Sequence, residues 1–113
     1  VRRRAKMFQE TAREWIEQWQ GEGLLERGDE ARTARLVKDC AARIEEIFTA
    51  AVTRQLTPLG KAADFERMLL WDTQYVHKFL NQTIPAYYNF REEVLAEARR
   101  TILAEFTAGG GRE

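Results

Sequence analysis

Few residues in this sequence have types and spacings suited to chemistry, and the first of them is a single imidazole. His77 is the only histidine in 113 residues, with Val76, Phe79 and Leu80 around it. A general base needs a nucleophile or an orienting carboxylate within hydrogen-bond reach. The acid on offer, Asp72, stands five positions back and is poorly placed on the same helix. There is no second histidine and no Glu-x-x-His pair to complete a metal site. The expectation is a surface or boundary histidine, with no catalytic residue, metal or cofactor. Cys40, the single cysteine, rules out an intrachain disulfide and a Cys-based zinc site, and its Ala/Ile/Val-rich surroundings predict a buried, inert thiol. Glu45-Glu46 and Glu92-Glu93 resemble carboxylate pairs, but neighbouring helical positions diverge by about 100° and belong to solvated faces.

Two constellations point to binding. Arg2, Arg3 and Arg4 with Lys6 form the strongest local charge block, able to contact phosphates without reading sequence. Neither a basic recognition helix nor a glycine-rich phosphate loop accompanies it, and Gly21-Glu22-Gly23 and residues 109–111 lack the strand-to-helix setting of such loops. The second constellation is aromatic. Trp15 and Trp19, with Phe8 and Ile16, share one stripe of a first helix, and Tyr87 and Tyr88 follow Pro85. Trp and Tyr are enriched at binding hot spots, although in small bundles they also fill the core with their polar atoms at its rim. The six residues Phe8, Trp15, Ile16, Trp19, Tyr87 and Tyr88 are the candidate protein-binding set.

The elements that must position these residues are all helical. Phe8, Ala12, Trp15, Ile16 and Trp19 recur at spacings of three and four, predicting a helix from about Arg3 to Gln20. Glycines at 21, 23 and 28 then interrupt it and offer a hinge, with Leu24 and Leu25 as a tether. Asp29 is suited to cap a long second helix reaching about Gln55 through Val37, Cys40, Ala41, Ile44, Phe48 and Val52. Thr57-Pro58 predicts a restart, Thr57 capping a short third helix with Phe65, Met68 and Leu69 inward. Asp72 is the expected cap of a fourth. Pro85 belongs in the first turn of a fifth, capped by Thr83 and facing inward through Tyr88, Arg91, Leu95, Ala98, Ile102 and Phe106, with Val94 alongside, to about Thr107. Residues 108–113 read as a flexible tail. Glu10–Arg13, Arg13–Glu17, Arg35–Asp39, Arg43–Glu46 and Glu97–Arg100 have the spacing of surface ion pairs worth ~0.2–0.5 kcal/mol each.

Composition agrees with this layout. At 113 residues the chain supports one core, and 18 basic against 18 acidic residues leave no overall field to favour nucleic acid or anionic lipid. Arg and Glu, the better helix formers, dominate the charges. No apolar run nears the ~20 residues needed to span a bilayer, so a soluble, cytoplasmic protein is expected. The chain begins at Val1, which leaves room for an upstream segment.

Residues 24–106 also resemble a small class of bacterial helical domains to which no activity is assigned. The resemblance is carried by RIEEIFTAAVTRQLTPLG, DFERML, VHKFLNQTIPAYYNF and EEVLAEARRTILAEF. It implies a helical fold, and it leaves the Trp-bearing helix of residues 1–20 outside as an element that reaches a partner. The expected architecture is an all-α bundle of about five helices, two of them long, forming one domain over 1–113, with dimerisation as a way to complete the core. The expected function is a non-enzymatic protein–protein interaction or scaffold module acting on a partner or on a second copy, with no membrane contact. The alternative is an accessory nucleic-acid-binding domain using Arg2, Arg3, Arg4 and Lys6.

Overall fold

The structure is a computed structural model that describes residues 7–71 and 73–110. Arg2, Arg3, Arg4, Lys6, Asp72 and residues 111–113 lie outside that range. Five α-helices make up the described chain: α1 (Gln9–Gly21), α2 (Glu30–Leu56), α3 (Ala62–Trp71), α4 (Val76–Thr83) and α5 (Tyr87–Gly110). Short 3-10 turns at Thr57–Leu59 and Thr73–Tyr75 precede α3 and α4, and no strand occurs among the described residues. The domain is an all-α bundle.

α2 is the axis of the molecule. Its 27 residues span ~40 Å at 1.5 Å per residue, close to the 43 Å longest dimension of the whole chain. It starts where expected: the Asp29 carboxylate accepts from the Arg32 backbone N–H at 2.8 Å and satisfies one of the orphan donors of the first turn. Val37, Cys40, Ala41, Ile44, Phe48, Ala51, Val52 and Leu56 form its buried face. α1 and α5 both pack along α2, while α3 and α4 form a smaller corner against α2 and the start of α5.

Several expected boundaries shift for identifiable reasons. Within the described residues α1 begins at Gln9, because Met7 and Phe8 form a turn that drops the Phe8 ring into the core. Thr57 does not cap α3. It stays in helical geometry, donates its hydroxyl to the Thr53 carbonyl at 2.7 Å, and prolongs α2 as a 3-10 turn that Gly60 stops in the left-handed region at φ 71°. Thr83 likewise closes α4, donating to the Phe79 carbonyl at 2.7 Å, instead of opening α5. Ile84 is extended, as its position before proline demands, and Pro85 lies in the connecting turn rather than in the helix. Ala86 then turns the chain at φ 52°.

The face of α5 is as expected from Val94 onward and differs at its first turn, where Tyr87 takes the inward place expected of Tyr88. Tyr87, Val94, Ala98 and Ile102 are buried, whereas Tyr88 is 68% exposed. The helix also continues through residues 108–110, expected to be tail. The glycine segment after α1 is no free hinge. The buried Gln20 amide donates to the Glu26 carbonyl at 3.4 Å and to the Thr33 hydroxyl at 3.2 Å, fastening the loop to the first turn of α2.

Candidate interaction surface

The aromatic stripe of α1 faces inward. Phe8 and Trp19 are 1% exposed, Ile16 is fully covered, and Trp15 is 8% exposed. Phe8 meets Phe48 of α2 edge to face, with ring centroids 5.1 Å apart. The outer side of the indole pair is closed by a residue from the far end of the sequence. The Arg99 guanidinium lies 5.7 Å from the Trp15 ring and 5.5 Å from the Trp19 ring, and donates to the Gln18 side-chain oxygen at 2.8 Å. The expected contact set is thus divided. Phe8, Trp15, Ile16, Trp19 and Tyr87 serve the chain's own core, and Tyr88 alone of the six is open to solvent.

Tyr87 is held at the corner between α4 and α5, where its hydroxyl lies 2.8 Å from His77 Nδ1. Burial pushes the phenol up to about 12, against a smaller lowering by Arg91, so it keeps its proton at neutral pH and donates to a neutral imidazole. The imidazole is itself held below its ordinary value, first by burial and then by the Arg91 charge. One ring edge is exposed while the other faces Tyr87 and Phe48, the latter at 6.4 Å between centroids. The pair joins α4 to α5.

Other chemical candidates are structural. Cys40 is fully buried and free, its thiol pushed up to about 12 by burial, as a low-reactivity core cysteine should be. Glu45, expected on a solvated face, is 3% exposed, because α2 is covered on more than one side there. Arg43 donates to Glu105 through two nitrogens, at 3.0 and 2.7 Å, and to Glu46 at 3.2 Å, clamping α2 to α5. The Glu105 carboxyl is lowered by that hydrogen bonding and the Arg43 guanidinium raised. Of the expected helical ion pairs, Arg13–Glu17 and Arg43–Glu46 are formed. No cluster of three His, Cys, Asp or Glu side chains able to hold a metal occurs among the described residues.

What the fold leaves uncovered lies elsewhere. Trp71, the last residue of α3, is 83% exposed, with Leu70 and Tyr75 also open. Beside Trp71, α3 and α4 diverge to leave a groove of ≈ 580 Å³ lined by Asp64, Arg67, Met68, Trp71, Tyr75 and Phe79. Asp64 and Arg67 pair with each other on its rim. A second groove, of ≈ 420 Å³ between α2 and α5, is edged by Arg54, Glu93 and Glu97 and carries no exposed large aromatic. Leu70 and Trp71 were missed by the search for helical stripes, although a signal was there. Met68, Leu69, Leu70 and Trp71 are four consecutive apolar residues, and at 100° per residue four positions circle the helix. With Leu69 buried, part of that run must face outward.

These features define a small all-α bundle that exposes Trp71 and Tyr75 beside a groove between α3 and α4, with Leu24, Leu59, Leu70 and Tyr88 also open to solvent. No family model, curated protein or solved structure matches the chain, so none of these comparisons bears on the resemblance of residues 24–106 to bacterial helical domains. No helix among the described residues is long and apolar enough to cross a membrane.

Proposed function

We propose that this chain is a non-enzymatic helical interaction module of the cytoplasm, and that its contact surface is the α3–α4 end. The observation that carries the reading is Trp71, 83% exposed above an apolar groove. Contiguous apolar patches larger than a few hundred Å² are rare on soluble monomers and mark interaction sites, and Trp71 with Tyr75 supplies the exposed aromatic part of such a surface. Trp and Tyr are the residues that most often dominate binding energy there. The α1 stripe supplies stability to the module and does not supply the contact. The nucleic-acid alternative rests on Arg2, Arg3, Arg4 and Lys6 alone, and its sign is binding that weakens steeply with salt.

The test is site-specific photo-crosslinking in cells producing the protein, with the crosslinker replacing Gln74 beside the groove or, as a control, Glu14 on the outer face of α1. A discrete protein adduct from position 74 and none from position 14 is the expected result. No adduct from position 74 would reject the reading.

A further inference from the structure

We infer that the His77–Tyr87 hydrogen bond is a pH-sensitive latch between α4 and α5, which opens when the imidazole takes up a proton and lets α4 pivot on the turn at residues 84–86.

Position is the first argument. The two rings meet across the corner, with the Tyr87 hydroxyl 2.8 Å from His77 Nδ1 and the ring centroids 6.1 Å apart. Among the described residues this is the one side-chain hydrogen bond that ties α4 to another helix. α2 and α5 are joined instead by Arg43 and Glu105, which keep their charges at neutral pH. The α4–α5 joint is the one that a proton can reach.

Chemistry is the second. Tyr87 is 6% exposed and keeps its proton, so its hydroxyl donates and the bare Nδ1 accepts. A proton arriving on Nδ1 turns that acceptor into a donor. The hydroxyl must then swing round to accept, and its own hydrogen loses the one partner that the described residues give it. The described elements that meet the imidazole are α2, through Phe48, and α5, through Tyr87 and Arg91. Arg91, which lies 3.5 Å from Glu92, repels a second cation, and Lys78, next along α4, carries the same sign. Glu45, buried one turn before Phe48 on α2, is a further titratable group on that helix. The other edge of the His77 ring is already open to solvent, so an imidazolium escapes both penalties by turning outward.

The turn is the third. Ile84 donates its N–H back to Leu80 and the Ala86 carbonyl accepts from Phe90, so these backbone bonds end on either side of Pro85. Ala86 is held at φ 52°, a region that alanine enters only under strain. Val76 and Leu80 anchor α4 in the core, which makes the opening a pivot of a short helix and not its unfolding. Because α4 also carries Phe79, one wall of the α3–α4 groove, the latch sets where that wall stands. It does so whether or not a partner meets the groove.

The experiment is an NMR titration of the full chain between about pH 8 and 5, for the parent, Tyr87→Phe and His77→Gln. At the upper end His77 should be the Nε2–H tautomer, with Nδ1 free of hydrogen. As the imidazole takes up its proton, the nuclear Overhauser contacts between the His77 and Tyr87 rings should vanish. The amides of residues 79–90 should shift with the same midpoint, while those of α1 and the circular dichroism hold. Tyr87→Phe should titrate at a higher pH than the parent, because a bond that the proton breaks must oppose the proton equally. In His77→Gln, which leaves Glu45, Arg91 and Lys78 in place, the amides of residues 79–90 should not titrate. Ring contacts that persist in the protonated protein, a Tyr87→Phe midpoint at or below the parent's, or a titration of residues 79–90 that survives in His77→Gln overturns the inference.

Discussion

The Arg99 guanidinium lies 5.5 Å from the ring of Trp19 and 5.7 Å from that of Trp15, so a cation from α5 seals the aromatic stripe of α1. Trp19→Ala should therefore lower stability by ~3–5 kcal/mol, the range for truncating a fully buried large aromatic. Its oligomeric mass should equal that of the parent. Arg99→Ala should cost about 1 kcal/mol, since a partly solvated cation–π contact is worth that order. Thermal melts and light scattering check both, and a changed mass in Trp19→Ala would show that the stripe makes contacts outside its own chain.

Phe48 is fully buried and touches both the Phe8 ring of the N-terminal turn and the His77 ring of α4. It ties two segments to the axis, so Phe48→Ala should remove ~3–5 kcal/mol, a large share of a small domain's stability. Urea denaturation measures the loss, and a midpoint equal to the parent's would contradict the core described here.

The His77 imidazole is held below its ordinary 6.5 by burial and then by Arg91. Between the folded value and 6.5 the unfolded chain binds the proton more readily, so stability falls as pH drops through that window and His77 contributes no further change below it. Melting temperatures of the parent and His77→Gln between about pH 5 and 8 test the sign, because glutamine does not titrate. The parent should lose stability on acidification relative to the variant. Parallel curves would show that the imidazole is unperturbed.

Gly60 ends the 3-10 turn after α2 at φ 71°, with no side chain nearby to meet an added methyl. Gly60→Ala should thus cost about 1 kcal/mol from backbone strain alone. Denaturant unfolding reads it, and an unchanged or raised midpoint would contradict the left-handed assignment.

The helices were legible because apolar spacing, Asp29 and the Ile84-Pro85 pair each act locally. Which tyrosine opens α5 inward was not, because Tyr87 and Tyr88 are identical along the chain and the His77 partner that Tyr87 meets lies on another helix. Thr57 and Thr83 looked like caps, yet each bonds back to a carbonyl four residues earlier, a choice that the preceding helix makes for them. The α1 stripe looked like a contact surface because Arg99, which covers it, is some eighty residues away in sequence. Trp71 went the other way, exposed by where α3 ends.

Tryptophan fluorescence with acrylamide as quencher tests both halves of this division at once. In dilute protein Trp71 should be quenched freely and Trp15 and Trp19 protected, with Trp71→Phe removing the quenchable fraction. When the chain is bound to the protein that crosslinks through position 74, Trp71 should become protected as well. A Trp71 that stays equally open in both states, or a Trp15–Trp19 pair that is open in the dilute chain, would contradict an interaction surface at the α3–α4 end.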